Sequence, residues 1–109
     1  MVIVQINYRP DVPRAEWEKR YTDETAAKFL KVEGLQWKVW LDASGRQEVG
    51  GIYLFADAKT AQAYLDGPIV AGMKSNPLVK DLQIKMFDVR ERMTAITNGP
   101  VPGLALAAE

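Results

Sequence analysis

Two runs rich in β-branched and aromatic residues flank a polar turn in the middle of the chain. The first is Leu35-Gln36-Trp37-Lys38-Val39-Trp40-Leu41-Asp42; the second is Glu48-Val49-Gly50-Gly51-Ile52-Tyr53-Leu54-Phe55. Ser44-Gly45 lies between them. Runs of this kind around turn residues predict a β-hairpin. Pairing the arms symmetrically about the loop sets Trp37 opposite Tyr53, Val39 opposite Gly51 and Trp40 opposite Gly50. Because strand side chains alternate, one face then carries Leu35, Trp37, Val39, Leu41, Val49, Gly51, Tyr53 and Phe55. The other carries Gln36, Lys38, Trp40, Asp42, Glu48, Gly50, Ile52 and Leu54. The first face is almost wholly apolar and is expected to meet the core. A glycine opposite a large side chain leaves an open spot on the sheet. One conflict stands in this register: Asp42 faces Glu48, a like-charge pair that costs stability and invites a slip near the loop.

The remaining segments fit around this hairpin. Val2 to Tyr8 alternates apolar and polar residues as a strand does. Arg9-Pro10-Asp11-Val12-Pro13 reads as a turn. A helix is then expected to run to about Val32, with Trp17, Tyr21, Thr25 and Phe29 recurring every fourth residue along one side. Gly34 ends it, since glycine accepts the left-handed conformation of a helix stop. Asp57 caps a second helix that buries Ala61, Tyr64 and Leu65. Gly67-Pro68 breaks it, and Pro68 starts a short helix with Ile69 and Met73 on one side that Asn76-Pro77 closes. Val79 to Val89 is the last strand, with Leu82, Ile84 and Met86 on one face. From Arg92 little periodicity is left. Residues 1–97 are thus expected to form one domain and residues 98–109 an extended arm.

The order β-α-β-β-α-β is that of the ferredoxin-like unit, an α+β fold with helices on one face of an antiparallel sheet. Its other face here would carry Trp40, Ile52, Leu54, Ile3 and Phe87 among polar residues. So large an apolar patch predicts an interface, and a second copy of the same sheet is the natural cover.

Composition prunes function. The formal charge is zero, so nothing electrostatic favours nucleic acid or an anionic membrane. The chain has no cysteine and no histidine, which removes the thiolate nucleophile, the commonest general base and the usual axial haem ligand. No metal site is expected. No apolar run approaches membrane-spanning length, and Met1-Val2-Ile3-Val4 lacks the basic lead-in of a signal peptide. A cytoplasmic protein is the expectation.

Gly34 to Trp40, Gly50 to Asp57, Ala61 to Leu65 and Lys85 to Glu91 together resemble the YdhR-like monooxygenase family. The likeness is most specific over the hairpin. It implies a dimeric α+β barrel built from two ferredoxin-like units, related to cofactor-free monooxygenases of antibiotic biosynthesis. Relatives in this superfamily that degrade haem use a histidine ligand, which this chain lacks.

The expected site lies between sheet and helices. Trp37 and Tyr53 would stand side by side as catalytic donors, with Trp17, Tyr21, Phe29 and Tyr64 over them and Gly51 giving room for substrate. Taken singly, each aromatic is explained by core packing. As a set, their hydroxyl and indole donors need partners, which points to a cavity holding water or ligand. The chemistry that fits the missing residues is oxygenation without a cofactor. An electron-rich phenol or anthrone loses a proton, and its delocalised carbanion reduces O₂ directly. The protein then needs a dry aromatic slot and donors for the developing enolate; the proton acceptor is unassigned. Lys38 is placed on the opposite face, as a rim or interface cation. Two other readings stay open: a non-catalytic carrier or sensor of small aromatic molecules, and a structural dimer module with a filled core.

Overall fold

A computed structural model describes residues 1–43 and 45–102. Four strands, β1 (Val2–Pro10), β2 (Leu35–Ala43), β3 (Glu48–Phe55) and β4 (Val79–Asp88), form one antiparallel sheet in the order β2-β3-β1-β4. This is the ferredoxin-like α+β fold, with the longest connections crossing one face. β1 is central because alternate residues Val2, Val4 and Ile6 are fully apolar and find Tyr53 and Phe55 beside them on β3. These residues, with Ala61, Tyr64 and Val70 from the helices, make the core.

The first crossover differs from the single helix its four-residue stripe predicts. It is broken into α1 (Arg14–Glu18), α2 (Asp23–Ala27) and a 3-10 turn at Lys28–Lys31. The break has a local cause. Thr22 takes an extended conformation and its hydroxyl accepts the Thr25 amide at 3.1 Å, so a new helix starts there, with Asp23 and Glu24 in its first turn. Gly34 follows at φ +80°, and a Cβ there would run into the Thr60 side chain. The second crossover follows its punctuation. Asp57 caps α3 (Ala58–Leu65) by accepting the Thr60 amide at 2.8 Å, and Pro68 opens α4 (Pro68–Ser75). Val70, not Ile69, is the residue α4 buries fully. A short α5 (Glu91–Ile96) occupies a stretch expected to be irregular. Most of the expected arm, residues 103–109, lies outside the described residues.

The main correction concerns the hairpin. Trp37 pairs with Leu54, Lys38 with Tyr53, Val39 with Ile52 and Trp40 with Gly51. The register is one residue away from the symmetric one, and a one-residue slip exchanges the two faces of a strand. Leu35 still pairs with Phe55, so the extra residue is taken up between Leu35 and Trp37 as a β-bulge at Gln36. The slip removes the Asp42–Glu48 conflict. Asp42 now faces Val49 and receives both terminal nitrogens of Arg14, while Glu48 pairs with Arg46 at 3.0 Å. Lys38 and Trp40 thereby turn toward the helices, and Trp37, Val39 and Leu41 join Ile52, Leu54, Ile3 and Phe87 on the other face, which is bare at Val39 and Phe87 and closed at Leu54, 1% exposed.

Candidate active site

The broken crossover arches over the edge strand β2 and leaves a cleft of about 230 Å³ against the sheet. Tyr8, Trp17, Tyr21, Phe29, Lys38 and Trp40 supply its walls. The four-residue stripe survives the break in α1 and α2: Trp17, Tyr21, Thr25 and Phe29 all line this cleft. The aromatics brace one another edge to face, Tyr8 against Trp17 at 5.7 Å, Tyr21 against Trp40 at 5.9 Å and Phe29 against Trp40 at 5.3 Å between ring centroids. Such contacts add to area burial and hold rings at fixed angles. The Trp17 indole donates to the Tyr21 hydroxyl at 3.1 Å, and the Arg20 guanidinium lies 4.5 Å from the Trp17 ring centroid.

Lys38 is the one amine in this wall. Its Nζ lies 3.3 Å from the Trp40 ring centroid, 3.7 Å from that of Phe29 and 4.7 Å from that of Tyr53. Gly51 makes this possible, because a Cβ there would sit 2.9 Å from Lys38 Cε and 3.2 Å from the Tyr53 ring. Burial lowers the Lys38 amine to about 7. The ring faces act in the other sense, attracting the ammonium form. Burial pushes the Tyr8 phenol up to about 12 and raises those of Tyr21, Tyr53 and Tyr64. These hydroxyls stay protonated at neutral pH.

The structure therefore sorts the predicted site residues. Trp17, Tyr21 and Phe29 come together at the cleft, while Gly51 lies behind Lys38 and does not itself line it. Tyr53 is in the core at 1% exposure, stacked on Phe55 and tilted against Tyr64. Tyr64 is also in the core, and its hydroxyl is buried without a partner among the described residues. Trp37 is not beside Tyr53. It is on the opposite face, and its indole donates to the Pro100 carbonyl at 2.9 Å. Tyr8, Arg20, Lys38 and Trp40 are the cleft residues that sequence reasoning missed or placed elsewhere. The Asp42–Glu48 conflict was the available signal, since relieving it by one residue brings Lys38 and Trp40 inside. Among the described residues no three His, Cys, Asp or Glu side chains cluster as metal ligands.

Residues 3–100 match the family described as "Putative mono-oxygenase ydhR". The chain belongs to the YdhR monooxygenase family. Among curated proteins none matches the sequence. Solved structures with the same fold include SnoaB, a cofactor-independent oxygenase from Streptomyces nogalater. It is 18% identical, with a TM-score of 0.62 over 82% of this chain and 92% of that one. Another is the heme-degrader MhuD from Mycobacterium tuberculosis with two hemes bound. It is 23% identical, with a TM-score of 0.57 over 81% of this chain and 95% of that one. At these identities the likeness establishes the fold that this YdhR-family chain shares with them. Its chemistry has to be argued from its own cleft.

Proposed function

We propose that the protein is a cofactor-independent monooxygenase that oxidises a small, acidic aromatic molecule of anthrone or phenol type with O₂. The observation that carries this reading is the cleft itself, a ring-lined slot with a single amine in its wall. About 150 Å³ is enough for a benzene-sized guest. A 230 Å³ cleft open on one side suits a substrate of two or three fused rings. Trp17, Tyr21 and Phe29 would pack the ring faces, with Lys38 and Trp40 on the sheet side. Excluding water strengthens every electrostatic contact to an enolate as it forms. The substrate supplies the reducing electrons: one carbon exchanges two hydrogens for one oxygen atom, and the second oxygen leaves as water. Family membership supports oxygenation, and the absence of histidine fits a reaction whose electronics reside in the substrate.

The working unit in this proposal is a cytoplasmic homodimer that closes the bare sheet faces on each other. Val39 and Phe87 are each 48% exposed on that face in the single chain. Residues 98–109 act as an arm outside the ferredoxin-like unit, anchored where Pro100 meets Trp37.

Oxygen uptake with dithranol, a simple anthrone, tests the reading. Wild-type protein is expected to consume one O₂ per substrate and yield the quinone, unaffected by a chelator. Saturable binding of dithranol without oxygen consumption would make the protein a carrier of aromatic molecules instead.

A further inference from the structure

A carbanion mechanism needs a base, and the cleft offers few candidates. The chain has no histidine or cysteine. Asp42 and Glu18 are both held by Arg14, and Asp23 lines a separate depression beside Tyr21 and Trp40. Arg20 carries hydrogen-bond donors only. Tyr8 from β1, Tyr21 from the crossover, Tyr53 from β3 and Tyr64 from α3 are all held in the phenol form by burial. From α4 and β4 the facing groups are uncharged, Met73, Asn76 and Val79. What is left is Lys38, half-buried, surrounded by ring faces, with no hydrogen-bond or ion-pair partner among the described residues.

We propose that Lys38 is the proton acceptor of this cleft: an amine that takes the acidic proton of a bound aromatic and, as an ammonium, then stays against the anion it has made. The inference rests on the cleft being the substrate site, as in the oxygenase reading. The geometry is unusual for a structural lysine. A surface lysine keeps its head in water and its stem on the protein. Lys38 instead points its head among three rings, and Gly51, diagonally across on β3, leaves the room for its Cε. Burial places its proton affinity near neutrality, where a general base is most effective. An ammonium formed inside a ring-lined slot has one strong partner available, the delocalised anion of the substrate. The ligand class this selects is an aromatic with an ionisable C–H or O–H whose charge spreads over fused rings.

The steps balance. The substrate C–H bond breaks with its proton passing to Lys38 Nζ and its electron pair staying in the ring system. One electron passes to O₂, giving an organic radical and superoxide. Their coupling forms a C–O bond, and the Lys38 ammonium protonates the terminal peroxide oxygen. Loss of the second hydrogen of that carbon to the Lys38 amine breaks the O–O bond and forms the carbonyl. The hydroxide expelled takes this proton and leaves as water, which returns Lys38 to its starting state.

The test uses 4-nitrophenol, whose anion is yellow and whose neutral form is not. Wild-type protein is expected to bind it as the anion, holding the yellow form at about one pH unit below the point where the free probe loses it. Lys38→Met keeps length and apolar stem, and is expected to weaken binding of the anion at least about 10-fold. Turnover of dithranol should fall about 100-fold or more, the usual span for a lost general base. Lys38→Arg keeps a charge that cannot be given up, so it should retain the yellow complex while losing turnover. A wild-type protein that binds only the colourless form, or not at all, overturns the proposal and requires no variant. So does a folded Lys38→Met protein with unchanged yellow binding. Yellow binding that depends on Lys38 without any oxygen uptake would keep Lys38 as proton acceptor and remove the oxygenase reading alone.

Discussion

Trp37 and Trp40 stand three positions apart on one strand and end in opposite surroundings. Trp40 packs edge to face with Phe29 and Tyr21 and offers its ring to the Lys38 amine. Trp37 lies on the bare face, pairs with Leu54 and is tied to the chain near its end through Pro100. The adjacent glycines make the same contrast. A Cβ at Gly50 would lie 2.1 Å from the Ile6 carbonyl oxygen, a backbone atom that cannot move aside. A Cβ at Gly51 would meet the far end of the Lys38 chain, which can, and would lie 3.2 Å from the Tyr53 ring, which has only to give slightly. One face of the hairpin is thus constrained by backbone and, in the proposed dimer, by an interface. The other lines the proposed site, where a change is expected to show in function before it shows in stability.

Four expectations separate these roles, in falling order of effect. The largest is at the proposed dimer face. Val39→Lys would set an unpaired charge there, at about 3–5 kcal/mol of association free energy. Because Val39 is exposed in the single chain, the monomer should stay folded; sedimentation that still shows the wild-type assembly would rule out this face. Next is Gly50→Ala, which forces β1 and β3 apart and should lower stability by about 3 kcal/mol, at the upper end for overpacking. A denaturation midpoint equal to wild type would show that the close approach to Ile6 is not rigid.

The third concerns pH. An unfolded lysine titrates near 10.4, and Lys38 in the fold near 7. Between these values the unfolded chain binds the extra proton, so this group makes stability rise with pH from about 7 to 10. Below about 7 both states are protonated and the full burial cost of the ammonium is present. Solvent reaches part of the side chain, which makes the effect smaller than a fully buried charge would give. Lys38→Met should therefore be more stable than wild type at pH 6, with the gap closing by pH 10. A gap independent of pH would place the amine in water. The smallest stability change belongs to Gly51→Ala, about 1 kcal/mol or less. It should nonetheless displace Lys38 and weaken the nitrophenol complex several-fold; full retention of that complex would mean the glycine is not there for the amine.

How much of this was legible in the sequence follows from what each segment had to hide. Val2, Val4 and Ile6 alternate with polar residues, and Asp57, Pro68 and Gly34 punctuate the helices, so the α+β order and the sheet could be read directly. The hairpin register could not. Both faces of β2 carry a tryptophan and further apolar residues, one against the cleft and one on the far side of the sheet. Apolar count then points the wrong way: Leu35, Trp37, Val39 and Leu41 look more like a core than Lys38 and Trp40 do. Only charge discriminated, through Asp42 and Glu48, and the partner that settles Asp42 is Arg14 on another element. The crossover was legible in its side chains and not in its backbone. Trp17, Tyr21, Thr25 and Phe29 keep a common direction although Thr22 restarts the helix among them.

The bulge at Gln36 gives the strand a parity. Every side chain from Trp37 to the turn has its address, inward or outward, fixed by whether one unpaired residue precedes it. Were Gln36 paired with Leu54 instead, the whole arm would invert: Trp37 and Val39 would go in, and the amine and Trp40 would go out. One unpaired residue therefore decides which of the two faces of the same strand looks into the cleft.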